Sequence, residues 1–161
     1  MKVALASDHA GYDYKQKVLR YLEDSGLECL DFGTHESKVT VDYPDYIGPA
    51  AKAVSKGQCD IGLIFGGSGN GEAMVANKIP GVRCAVCWNE ESALLSRQHN
   101  DANIISIGQR IVPEVLLLPM IKLWIETAYE GGRHDKRLQK MKAAEAAAEI
   151  LQIKIPIVKS T

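Results

Sequence analysis

The sequence lacks most of the features that would settle a function at sight. No apolar run approaches the roughly 20 residues that cross a bilayer, so a membrane-spanning role is not expected. Neither sign of charge is in excess. The formal net charge is -1 and the pI is near 6.4, which gives no reason to expect nucleic acid or an anionic membrane as partner. No basic-then-apolar leader opens the chain: Met1-Lys2-Val3-Ala4-Leu5-Ala6-Ser7-Asp8 goes straight into a strand-like run, and the expected location is the cytoplasm. Internal repeats, low-complexity linkers and hairpin signals are also missing. Cysteine is confined to Cys29, Cys59, Cys84 and Cys87. Cys84-Ala-Val-Cys87 matches C-x-x-C, but it lies in a run that reads as a strand, where positions i and i+3 face opposite sides of the sheet. Two sulfurs so placed cannot share one metal ion, and no second ligand pair is nearby. Four buried free thiols are expected, with no metal.

What the chain does have is an alternation. Strand-like apolar runs occur at about 2–7, 27–32, 60–66, 83–88 and 103–108, with helical patterns at about 11–25, 44–56, 71–78, 90–100 and 111–127. Tyr14, Val18, Leu19 and Leu22, for example, recur at helical spacing. Strands that alternate with helices imply right-handed βαβ units. At 161 residues the chain fits one such domain. The expected fold is therefore α/β, a single doubly wound Rossmann-like domain with a five-stranded parallel sheet and helices on both faces. Gly131-Gly132 breaks the fifth helix, and a last helix of about 133–151 follows, poor in apolar residues and expected to pack on a partner subunit. The domain is drawn as residues 1–151, with 152–161 an extended tail.

Residues 65–72, Phe-Gly-Gly-Ser-Gly-Asn-Gly-Glu, follow the third strand. The glycines allow a tight turn with N–H groups directed inward, where an anion can sit. In doubly wound sheets ligands collect beyond the carboxyl ends of the strands. Ser7-Asp8-His9 ends the first strand there, and Ser96-Arg97-Gln98-His99-Asn100 is read as joining the same edge. Arg133, His134 and Arg137 fall within about one turn, cations at a helix start where acidic residues are favoured; a phosphate between the two arginines would offset that. Arg110, after the fifth strand, reads as another phosphate ligand or as a loop arginine. Plainer readings exist for each residue: Asp8 as a helix cap, His99 as a surface histidine, Ser68 as a turn residue, Glu72 as a favourable helix charge. Together they form an acid/base carboxylate, a hydroxyl, an amide-lined hole, an imidazole and a phosphate clamp, a set suited to moving a proton beside a carbonyl. A hydride cofactor is not indicated. The glycine run is not G-x-G-x-x-G, and Asp31 is the one weak hint of ribose recognition.

These motifs, with Asp42-Tyr43-Pro44 and Ala76-Asn77-Lys78, resemble the type B ribose-5-phosphate isomerases, a family grouped with the galactose-6-phosphate isomerase subunits. The resemblance covers about residues 2–140. It implies that Asp8 and His99 open the furanose ring, Asp8 taking the anomeric proton and His99 protonating the ring oxygen. One branch of the family shuttles the proton between C1 and C2 with a cysteine at the position of Gly66. This sequence resembles the other branch, which makes Glu72 the base. Ser68 would pass protons between the enediolate oxygens, and the amides of Gly67, Ser68, Gly69, Asn70 and Gly71 would stabilise the charge. His9, Arg110, Arg133, His134 and Arg137 resemble phosphate ligands, and Tyr43 a residue bordering the sugar. The resemblance further implies a homodimer or tetramer in which His99, Asn100 and Arg110 come from the neighbouring subunit, and no metal or organic cofactor. Six-carbon substrates (allose 6-phosphate or galactose 6-phosphate) stay open, as does a non-catalytic sugar-phosphate sensor, which would need the clamp but not the acid/base set.

Overall fold

Strands and helices alternate in the computed structural model as the apolar runs predict. The structure describes residues 1–154 in two compact units, Met1–Tyr129 and a second beginning at Glu130. The first contains β1 (Lys2–Ser7), α1 (Tyr12–Asp24), β2 (Glu28–Asp31), α2 (Pro44–Ser55), β3 (Ile61–Gly66), α3 (Asn70–Ala76), β4 (Cys84–Val86), α4 (Glu90–Asn100), β5 (Ile104–Gly108) and α5 (Glu114–Glu126). All strand pairs are parallel, in the order β2-β1-β3-β5-β4. β3 lies at the centre and is buried along its whole length, which is why its sequence, Ile-Gly-Leu-Ile-Phe-Gly, shows no polar alternation.

Side-chain alternation sorts the core into two layers. Val3, Leu5, Leu63, Phe65, Ile105 and Ile107 meet α1 through Val18 and Leu22 and α5 through Leu117, Met120, Ile121 and Trp124. Ala4, Ala6, Ile64 and Ile104 meet α2 through Ile47, Ala50, Ala51 and Val54. Cys87 belongs to the first layer and Cys84 packs against the second, so the C-x-x-C sulfurs do face opposite sides. Only Cys59 and Cys87 are fully buried, however; Cys29 and Cys84 are half-buried, because they sit on the edge strands β2 and β4.

The connection from β1 leads to α1 on one face, and that from the adjacent β3 leads to α3 on the other. The crevice of such a sheet opens between these two strands at their carboxyl ends. A crossover helix runs antiparallel to its strands, so α4 starts near the carboxyl edge and ends at the opposite one. Arg83, just before β4, donates from Nε to the Asn100 carbonyl at 3.1 Å. The expectation that residues 96–100 join the carboxyl edge is therefore corrected: His99 and Asn100 lie at the amino edge of their own sheet.

The second unit holds a 3₁₀ turn, Gly132–His134, and α6, Asp135–Lys154. Gly131 and Gly132 both have positive φ, 68° and 60°, but α5 already ends at Glu126 with Thr127 extended, so they do not break the fifth helix as expected. The compact unit that carries the sheet closes at Tyr129, and the last helix falls in the second unit. Helix α6 continues to Lys154, so residues 152–154 are not extended, and the rest of the anticipated tail lies outside the described residues. Among the described residues no helix is long and apolar enough to cross a membrane.

Candidate active site

A cleft of about 390 Å³ opens at the carboxyl ends of β1, β3 and β5. Asp8, His9, Ala10, Tyr43, Gly67, Ser68, Gly71, Glu72, Arg110 and Ile111 line it. Close backbone approach builds it. A Cβ at Gly11 would fall on the Phe65 carbonyl carbon, and one at Gly108 would lie 2.5 Å from the Ser68 carbonyl oxygen. The turn after β3 passes through Gly69 at φ 80°, a conformation that glycine adopts without strain. Ser106 Oγ of β5 donates to the Gly69 carbonyl at 2.7 Å and holds that turn in place.

Glu72 is 4% exposed. Its carboxylate fills the space above Gly66, where a Cβ would fall directly on it. Burial pushes the carboxyl above its ordinary value, with nearby Asp8 adding in the same direction; the N–H groups of Glu72 itself and of Gly69 act the other way, and burial prevails. The sequence left that balance undecided.

Asp8 lines the cleft and is not a helix cap, because α1 is entered at Gly11 with no side-chain cap. Its Oδ1 accepts from the N–H groups of Ala10 at 2.9 Å and Gly11 at 3.0 Å, which fixes the carboxylate in the turn into α1. His9 Nδ1 accepts from the Val41 N–H at 3.2 Å, so the neutral ring carries its proton on Nε2. Tyr43 packs on Gly71, where a Cβ would come within 2.8 Å of Tyr43 Cζ. The Ser68 hydroxyl accepts from the Asn70 N–H at 3.3 Å. Two of the five anticipated amides, those of Gly69 and Asn70, are thus occupied within the turn. Gly69 and Asn70 do not line the cleft; Asn70 borders a separate hollow of about 340 Å³ with Met74, Asn77, Lys78 and Cys84.

A family model described as Ribose/Galactose Isomerase matches residues 3–141. The chain belongs to this family. Ribose-5-phosphate isomerase B of Escherichia coli is 40% identical over 144 residues, covering 89% of this chain and 96% of that protein. The solved ribose-5-phosphate isomerase B of Clostridium thermocellum superposes with a TM-score of 0.90 at 42% identity, covering 92% and 99% of the two chains. Ribose-5-phosphate isomerase B of Mycoplasma genitalium, solved with bound ribulose-5-phosphate, gives a TM-score of 0.86 at 32% identity over 90% and 96%.

The remaining expected site residues of this family member are distributed unevenly. Arg110 lines its own chain's cleft; a Cβ at Gly67 would lie 3.3 Å from its Nη1. The turn after β5 is tied to the β3 turn by the Arg110 N–H on the Gly67 carbonyl at 3.0 Å, which sets Arg110 beside its own chain's cleft, whereas the resemblance implies supply from a neighbouring subunit. His99 and Asn100 are not among the cleft residues. In the second unit Arg133 Nε donates to His134 Nε2 at 3.1 Å, and Arg137 Nη1 lies 3.2 Å from His134 Nδ1. His134 is 2% exposed, so the three residues do converge. Arg133 and His134 precede α6, however, and Asp135 occupies its first turn, so the reversed-dipole argument applies to Arg137 alone.

Asp31 is occupied structurally: Lys15 Nζ reaches its Oδ1 at 2.5 Å and the Gly33 N–H donates to it at 2.9 Å, which removes the hint of ribose recognition. Burial raises the thiols of Cys29 and Cys87 to about 11 and those of Cys59 and Cys84 above their ordinary value, so none is a ready thiolate. Ala10 and Ile111 line the cleft without having been anticipated; adjacency to His9 and Arg110 was the signal that would have found them.

Proposed function

We propose that this chain is an aldose–ketose isomerase that interconverts ribose 5-phosphate and ribulose 5-phosphate through an enediolate, with Glu72 as the base. The observation that carries the reading is the buried Glu72 carboxylate seated over Gly66 and beside Asp8. It takes up the space that a side chain at position 66 would use, where the other branch of the family has its cysteine. The ionised carboxylate removes the proton from C2 of the open aldose, and the carbonyl oxygen at C1 gains one. The same carboxyl then returns a proton to C1 as the C2 oxygen becomes the carbonyl. Ser68 relays the proton between the two oxygens, and the Gly67 and Gly71 segments border the developing charge. Tyr43 flanks the sugar. His9, through its Nε2 proton, and Arg110 take the phosphate, and the family resemblance adds Arg133, His134 and Arg137. The relatives reported above are named for the five-carbon sugar, which supports it over a six-carbon one.

Ring opening requires Asp8 to accept the anomeric proton and an acid to protonate the ring oxygen. In this reading the acid is His99 of a second copy, with Asn100 beside it. Their place at the amino edge of their own sheet supports supply from a partner, and the largely exposed side chains of residues 135–147 support a homodimeric or larger assembly.

Glu72→Gln tests the base. Turnover is expected to fall by about 10²–10⁴-fold, while calorimetric affinity for the sugar phosphate is retained. Near-normal turnover would remove Glu72 from the mechanism. Arg137→Ala is expected to raise KM with little change in kcat, since phosphate binding is common to ground and transition states; an unchanged KM counts against the clamp.

A further inference from the structure

The end of α4 is held by more polar contacts than a helix terminus requires. Asp101 sits at φ 44°, ψ 46°, the only non-glycine residue with positive φ among the described residues. Its N–H closes onto the Arg97 carbonyl at 3.1 Å, the 5→1 bond of an αL ending, and that of Ala102 reaches the Ser96 carbonyl at 3.0 Å. Glycine meets that backbone requirement with less strain. A carboxylate is what glycine would not supply. Asp101 Oδ1 accepts from Arg97 Nη1 and Oδ2 from Arg83 Nη2, each at 3.2 Å. Both arginines also bind the terminal carbonyls. Arg83 Nε donates to Asn100 at 3.1 Å and to Asp101 at 2.9 Å, and Arg97 Nη1 donates to Ala102 at 2.5 Å. Arg97 is itself fixed by the Thr127 carbonyl at 3.2 Å and by the Trp124 ring, 5.2 Å from its guanidinium carbon. The turn secured in this way carries His99 and Asn100.

We infer that Arg83, Asp101 and Arg97 form a clamp whose role in the reaction is to fix the angle at which His99 meets the ring oxygen of the sugar. The inference rests on the reading that His99 is the ring-opening acid. In that step Asp8 accepts the proton of the anomeric hydroxyl, His99 gives a proton to the ring oxygen, the bond from C1 to that oxygen breaks, and C1 becomes an aldehyde. The clamp residues do not touch the sugar; they are positioning residues. Their effect falls on one half of the reaction only. Ribose 5-phosphate arrives as a ring, whereas ribulose 5-phosphate, its O5 esterified, has no hydroxyl that can close a five-membered ring on C2 and is already open. A clamp defect therefore slows consumption of the aldose and spares the Glu72-dependent exchange of the C1 hydrogen of the ketose.

The test uses Asp101→Gly, which keeps the left-handed turn and deletes the carboxylate, in the full-length protein. Turnover of ribose 5-phosphate is expected to fall about 10- to 100-fold, with solvent exchange from C1-deuterated ribulose 5-phosphate changed by less than about threefold. Arg83→Lys, which keeps the charge but loses the fork, is expected to show the same split and serves if Asp101→Gly fails to fold. Full activity on both sugars, or equal losses on both, overturns the inference. His99→Asn separates the two levels. Normal aldose turnover in His99→Asn sinks the ring-opening reading and the clamp with it; a split in His99→Asn that is absent from Asp101→Gly sinks the clamp alone. Adding Asp101→Gly to His99→Asn should cost nothing more, and a further loss in the double variant would mark the clamp as merely structural.

Discussion

At Glu72 two backbone N–H groups favour the charged carboxylate, while burial and Asp8 oppose it. Because burial prevails, the group titrates above its ordinary value in the folded protein. A base works only when ionised, so the acid limb of the kcat–pH profile is expected above the usual glutamate range and should vanish in Glu72→Gln. The sign for stability is the reverse of that for a paired surface acid. A carboxyl whose value is raised by folding contributes stability below its unfolded value and loses it as pH rises through the folded value. Glu72→Gln is therefore expected to melt higher than the parent at about pH 8 and to match it near about pH 4, measured by calorimetry; an equal or lower Tm at the higher pH would contradict the desolvation account. The glycine-rich turn and the identity of its carboxylate were legible in the sequence, since few residue patterns follow a buried strand in that way. The titration of Glu72 was not legible, because it depends first on the burial that the folded cleft imposes and then on Asp8 arriving from the end of another strand. Nor was the role of Asp101, whose two arginine partners come from the start of β4 and the body of α4.

Between elements the cleft depends on contacts that tolerate no added volume. Gly11 starts α1 against the Phe65 carbonyl carbon, and Gly11→Ala is expected to cost at least about 1–3 kcal/mol, seen as a lower urea midpoint at unchanged m. Lys15 makes a second joint. Fully buried in α1, it pairs with Asp31 of β2 at 2.5 Å and donates to the Thr34 carbonyl at 2.6 Å. The loop after β2 in turn pairs with β1, Ser7 N–H to the Gly33 carbonyl and Thr34 N–H to the Ser7 carbonyl, both at 2.7 Å. Asp31→Ala strands a buried ammonium and is expected to cost about 3–5 kcal/mol, beyond Lys15→Met, which leaves behind the one partner of the pair that water reaches, Asp31 at 18% exposure; equal losses in chemical denaturation would show that Lys15 is not held as a charge. Element types and order were readable because each strand run is short, apolar and bounded by helical periodicity. The pairing of Lys15 was hidden, since a lysine within a helix reads as solvated until its neighbours are known. The edge reached by His99 was not legible from its place after β4, because α4 carries it from the carboxyl end of β4 across the sheet.

For the whole molecule the question is which chain supplies which half of the chemistry. Asp8, Glu72 and Arg110 line one cleft in one chain, and His99 lies across the sheet from it. If the acid comes from a second copy, two inactive proteins should repair each other. Glu72→Gln and His99→Asn chains, mixed under conditions of subunit exchange, form dimers of which half are hybrid, and each hybrid has one intact site. About a quarter of the parent activity is therefore expected, rising with time as subunits exchange. Glu72→Gln mixed with Asp8→Asn should recover nothing, because both lesions fall in the same chain's cleft and every site inherits one. Glu72→Gln mixed with Arg110→Ala should likewise stay inactive beyond the residual activity of Arg110→Ala itself, which separates the cleft seen here from the arrangement in which Arg110 crosses between subunits. Recovery in the Glu72/His99 mixture together with silence in the other two requires a shared site with these memberships, and failure of the first mixture despite proven exchange would return His99 to the surface.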